Sequence, residues 1–135
     1  MNEIFVDTLH FAAVLNPKDQ WHELALAVEA KINIARLVTT ETILHEFLNF
    51  FAEFPPRTKK RAADFVKDLY ETQAVEIILH TPGVFFDGLR LYESRLDKSY
   101  SLTDCVSMNA MQKRGITKVL SHDNHFTQEG YTALL

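Results

Sequence analysis

The 135-residue chain is about one domain's worth, and its 47% hydrophobic and 24% charged residues exclude a disordered or fibrous protein. A single cysteine, Cys105, excludes an internal disulfide framework and fits a reducing compartment. With no signal-like start at Met1-Asn2-Glu3-Ile4 and no membrane-length apolar run, a cytoplasmic protein without a membrane partner is expected; the net charge of −4 argues against holding nucleic acid by bulk charge alone.

Glu3-Ile4-Phe5-Val6-Asp7 reads as a short buried strand that ends on an acid. A helical turn from Leu9 to Leu15 is broken at Asn16-Pro17-Lys18-Asp19. Asp19 then caps a helix from about Gln20 to Ala35, with Trp21, Leu24, Val28 and Ile32 on one face. Leu37-Val38-Thr39 is a second strand. Thr40 or Thr42 caps the next helix, where Ile43, Phe47, Phe50, Phe51 and Phe54 make an apolar stripe that Pro55-Pro56 ends.

Arg57 to Tyr70 is an amphipathic helix with a basic start, and Val75 to Leu79 a third strand. Pro82 opens a helix running to about Leu96. After the polar loop Lys98-Ser99-Tyr100-Ser101, Leu102 to Arg114 forms a helix that Gly115 closes. Thr117 to Ser121 is a fourth strand, and Tyr131 to Leu135 a short fifth. Strands alternating with helices imply right-handed crossovers. The expected fold is α/β: a three-layer α/β/α sandwich on a mostly parallel sheet of four or five strands, in a single domain over 1–135.

In an open parallel sheet, ligands bind beyond the carboxyl ends of the strands. Asp7 ends the first strand and Asp123 follows the fourth, in Ser121-His122-Asp123-Asn124-His125-Phe126. Asp104 lies in the first turn of a helix, and Glu46 among the apolar Leu44, Phe47 and Leu48. Taken singly, Asp104 reads as a cap, Asp123 as a turn residue and Glu46 as a solvated helix edge. An acid closing an apolar strand, as Asp7 does, has no packing purpose. Together the acids would repel one another and raise their own pKa values unless a hard cation such as Mg²⁺ or Mn²⁺ offset them. Two such ions roughly 3.5–4 Å apart can activate water and stabilise the leaving oxygen of a phosphodiester.

On these residues the chain resembles the PIN-domain nucleases, especially the VapC-type toxin ribonucleases of toxin–antitoxin modules. The likeness rests on Phe5-Val6-Asp7-Thr8, on Thr39-Thr40 through Leu44-His45-Glu46, on Leu102-Thr103-Asp104 and on Leu120-Ser121-His122-Asp123 through Phe126. It implies a Mg²⁺- or Mn²⁺-dependent endoribonuclease leaving 5′-phosphate and 3′-hydroxyl ends. Asp7, Asp104 and Asp123 would ligate the metal directly, while Glu46 would bind through water or orient the attacking water. Thr8, Thr103 and Ser121 would be supporting hydroxyls. A small antitoxin and a homodimer are implied as partners. Leu9 stands where many relatives carry a small polar residue, so hydrogen bonding around Asp7 departs from theirs.

Other signals compete. His122 and His125 straddle a loop poorly for sharing an ion and read as exposed, with a secondary role near the scissile phosphate open to His125. Arg57, Lys59, Lys60 and Arg61 are candidate RNA contacts as well as an ordinary solvated face. Phe47, Phe50, Phe51 and Phe54 suit a core or a dimer interface better than a base-stacking platform. Cys105 lacks a catalytic partner and reads as a small buried residue.

A phospho-accepting receiver domain fails, because the third strand runs out at His80 and no lysine follows Val119-Leu120. A haloacid-dehalogenase-type phosphatase fails at Leu9, where a second aspartate is needed. The stronger rival is a PIN-like module that binds RNA or protein without cutting.

Overall fold

The computed structural model describes residues 2–32 and 35–135. Its strands are β1 (Glu3–Val6), β2 (Arg36–Thr40), β3 (Val75–Ile78), β4 (Lys118–Leu120) and β5 (Thr132–Ala133). All pair in parallel, in the order β3-β2-β1-β4-β5. Ile4, Phe5 and Val6 of the central strand are all buried, as a strand covered on both faces requires.

The helices are α1 (Thr8–Leu15), α2 (His22–Lys31), α3 (Glu41–Phe50), α4 (Pro56–Glu71), α5 (Pro82–Ser94), α6 (Leu102–Arg114) and α7 (Asn124–Gln128). Right-handed crossovers place α1–α4 on one face of the sheet and α5–α6 on the other. In keeping with this, α1 packs on α2, α3 and α4, and α5 packs on α6. This is the expected three-layer α/β/α arrangement, with five strands. Among the described residues no helix is long and apolar enough to cross a membrane.

Local chemistry sets the helix ends. The Thr40 hydroxyl accepts from the Ile43 N–H at 3.1 Å and starts α3, so Thr40 rather than Thr42 is the cap. Ser101 and Asp104 form a reciprocal capping box at the start of α6. Gly115 ends α6 in the left-handed region at φ 67°, a conformation that glycine adopts without a Cβ penalty.

Three boundaries differ from expectation. Helix α2 begins at His22, because the Asp19 carboxylate accepts from the Trp21 N–H at 2.8 Å in a turn that precedes the helix. It buries Ala25 and leaves Leu24 exposed. Its expected extension to Ala35 runs through 33–34, and the N-terminal reading starts at Met1; these positions lie outside the described residues. Helix α3 ends at Phe50, well before the prolines. Phe51 to Phe54 turn back so that Phe54 packs on Phe50 and Phe51, and Pro56 starts α4, where its missing N–H costs nothing. Helix α5 stops at Ser94, leaving Leu96 in solvent. The phenylalanine stripe is largely core: Phe47 and Phe51 are fully buried, while Phe50 is exposed. Cys105 is buried as expected.

Candidate active site

The strand order reverses between β1 and β4, since the chain winds outward from β1 through β2 to β3 and then returns to the other side. Such a switch opens a crevice at the carboxyl ends of the two strands. Asp7 follows β1 directly, and Ser121 to Asp123 follow β4.

Asp7 is 4% exposed. The Ser121 hydroxyl donates to its Oδ2 at 2.9 Å, and the Thr8 backbone N–H also bonds it. Its pKa is pushed up to about 7, mainly by burial; these two hydrogen bonds oppose the rise, and the charges of Glu46 and Asp104 add to it. Leu9 therefore leaves Asp7 well bonded: Ser121, from the far end of the chain, supplies a side-chain donor.

The same Ser121 oxygen accepts from the Asp123 N–H at 3.0 Å, so one hydroxyl fixes both acids. Asp123 caps α7 by accepting from the His125 N–H at 2.9 Å. Glu46, projecting from α3, accepts a hydrogen bond from the Thr8 hydroxyl. Asp104 Oδ2 accepts from the Ser101 N–H at 3.0 Å and from His125 Nδ1 at 2.8 Å. Ligand atoms of Asp104, Asp123 and His125 all lie within 4.8 Å of one another. The four acids thus form one connected cluster, with Thr8 and Ser121 each bonded to a member.

Other candidate residues fall elsewhere. Thr103 makes no side-chain hydrogen bond among the described residues; the hydroxyl at Asp104 is Ser101, which accepts from the Asp104 N–H at 3.0 Å. On α4, Lys60 pairs with Asp64 and Arg61 donates to the Leu15 carbonyl at 3.3 Å, so part of this basic run is engaged within the fold. Cavities of about 420 and 430 Å³ lie away from the acids, between β3 and α5–α6 and between the end of α1 and the start of α4. The acids sit at the carboxyl edge of the sheet, with Asp7 and Asp104 buried.

His125 departs from its expected place in an exposed loop. It lies in α7, bonded to Asp104 and edge-on to Tyr100 at 5.5 Å. Tyr100 in turn donates to Glu129 at 3.0 Å, and Arg95 holds that carboxylate at 2.8 Å. The sequence singled out this histidine beside Asp123 but not its bond to Asp104, because its position depends on a five-residue helix. Ser101 was findable: Ser101-Leu102-Thr103-Asp104 carries the spacing of a helix-start box.

The chain belongs to the PIN domain family, whose pattern matches residues 4–129. It is similar to VapC20 of Mycobacterium tuberculosis, described as a sarcin–ricin-loop-cleaving toxin, with a TM-score of 0.83, 23% identity and 96% of each chain covered. It is also similar to FitAcB from Neisseria gonorrhoeae, with a TM-score of 0.67 and 14% identity over 96% of this chain and 94% of that one. No curated protein sequence matches significantly.

Proposed function

We propose that the chain is a Mg²⁺- or Mn²⁺-dependent endoribonuclease and the toxin of a toxin–antitoxin pair. The observation that carries this reading is the convergence of Asp7, Glu46, Asp104 and Asp123, linked to one another through Ser121, Thr8 and His125. Such a donor set fits a hard divalent cation: carboxylate oxygens predominate, with one imidazole beside them. Asp7, Asp104 and Asp123 would hold the ion, and Glu46 would bind through water or orient the attacking water. The ion, when bound, supplies Lewis acidity and lowers the pKa of a coordinated water.

The chain's own groups prepare that chemistry. Ser121 holds the rotamer of Asp7 and the backbone of Asp123, while the Thr8 hydroxyl aims Glu46. The capping box and His125 together fix Asp104. Arg57, Lys59, Lys60 and Arg61 are the proposed RNA contacts. The family likeness favours a small antitoxin and a homodimer; exposed Phe85, Phe86 and Tyr92 on α5 leave apolar surface for a protein partner.

A cleavage assay on tRNA, rRNA and mRNA with Mn²⁺, Mg²⁺ or chelator tests the reading. Discrete metal-dependent products are expected from the wild type, with a loss of at least about 100-fold in Asp7→Asn and Asp104→Asn. Cleavage retained in both variants would remove the assignment. A wild type that binds RNA but never cuts it would instead be a non-catalytic PIN-like module.

A further inference from the structure

Ser121 and Asp123 turn their side chains toward the acid cluster, and the residue between them, His122, is directed elsewhere. Its ring lies face to face with Trp21, with centroids 4.1 Å apart and planes 10° from parallel. Trp21 precedes α2 and lies about a hundred residues earlier in the chain.

The indole is set on a rigid corner. The Trp21 backbone N–H donates to Asp19 Oδ1 at 2.8 Å, and the Trp21 carbonyl accepts from the Ala25 N–H at 2.8 Å. Behind it, His22 Nδ1 donates to the Ala13 carbonyl at 2.7 Å, tying this corner to α1. Helix α1 starts at Thr8, the residue that bonds both Asp7 and Glu46. Two routes therefore run from α1 to the acids, one directly through Thr8 and one through Trp21 and His122.

The second route reaches Asp123. The bonds Asp123 makes through its own N–H and Oδ1 run to Ser121 and His125, each two residues away; these tie the loop to Asp7 and Asp104, but none of them reaches α2. A flat ring stacked on the intervening residue limits both sliding and rotation of that loop relative to α1 and α2. We propose that Trp21 is a positioning residue for the metal centre, acting through His122 to hold Asp123 in place. This rests on the reading of the acid cluster as a divalent-cation site.

The test is calorimetric titration of Mn²⁺ into chelator-treated full-length protein, comparing wild type with Trp21→Ala, Trp21→Phe, His122→Ala and the double alanine variant. Loss of the stack is expected to weaken Mn²⁺ binding about tenfold, the lower end for groups that orient metal ligands. Trp21→Phe should restore most of it, and the double variant should be no worse than either single one, as for residues acting through each other. On RNA, kcat should fall while KM changes less than about twofold. Should Trp21→Ala fail to fold, His122→Ala removes the same stack and carries the test.

Unchanged Mn²⁺ affinity in the stack-breaking variants would overturn the inference while leaving the metal centre standing. A raised KM with unchanged Mn²⁺ affinity would also overturn it, assigning the ring pair to base stacking. A wild type that takes up no Mn²⁺ would remove the metal centre itself, and the inference with it.

Discussion

At Asp7, burial and two neighbouring carboxylates oppose ionisation, while Ser121 and the Thr8 N–H favour it, and the opposition wins. The unfolded carboxyl ionises near 3.8 and the folded one at about 7. Between those values the folded state keeps a proton that the unfolded state has released, so stability falls as pH rises through the window and stays low above it. The loss is on the order of 2–4 kcal/mol. Ion-free Asp7→Asn should therefore show a flatter denaturation profile between about pH 4 and 7 than the wild type. Near pH 8 it should be the more stable of the two, and Mn²⁺ should narrow the gap by stabilising the wild type. Asp7 stood out because it closes an apolar strand, whereas Asp104, Asp123 and Glu46 each have an ordinary reading alone and drew notice only as a set. The contact that places His125 was not legible, since it is a bond to an aspartate 21 residues away.

Helices α5 and α6 meet where Gly88 faces Val106. A Cβ at Gly88 would lie 2.6 Å from Val106 Cγ2, and a β-branched side chain has few rotamers with which to retreat. Alanine is favoured over glycine in a helix by about 1 kcal/mol, but overpacking costs about 1–3 kcal/mol. Gly88→Ala should be net destabilising in urea melts, and adding Val106→Ala should return part of the loss.

Helix α4 offers a different test, because Lys60 and Arg61 already have partners within the fold. If the basic run tracks RNA, replacing Arg57 and Lys59 with Gln should reduce the slope of log affinity against log salt by about 1–2. Element types were readable from periodicity and caps. The start of α2 and the end of α3 were misplaced because an Asx turn at Asp19 and a folded-back phenylalanine turn after Phe50 compete with helical structure without changing the hydrophobic pattern.

Across the whole molecule, the sheet edge opposite the acids is closed by charge. Arg114, at the end of α6, donates to Glu3 at 3.1 Å and to Glu76 at 2.7 Å, while Arg36 reaches Glu76 at 3.1 Å. Hydrogen bonding from Arg114 holds Glu76 down to about 2, against an ordinary 4.5. A depressed carboxylate stabilises the fold above its unfolded value and loses that contribution as pH falls toward the folded one. Arg114→Met should thus cost about 1 kcal/mol near neutrality, with a shallower loss of stability between about pH 4.5 and 2 on acid titration. Alternating strands and helices made a parallel sheet legible, but not its order, because nothing local tells β4 to return beside β1.

That return has a consequence in time. The Ser121–Asp7 hydrogen bond spans 114 positions, and β4 and α7 are synthesised after every other part of the cluster. A growing chain on the ribosome carries Asp7, Glu46 and Asp104 long before it carries Ser121 and Asp123. The acid cluster is therefore incomplete throughout most of translation, and whatever chemistry it performs can begin only when the last strand and helix of the cluster have emerged.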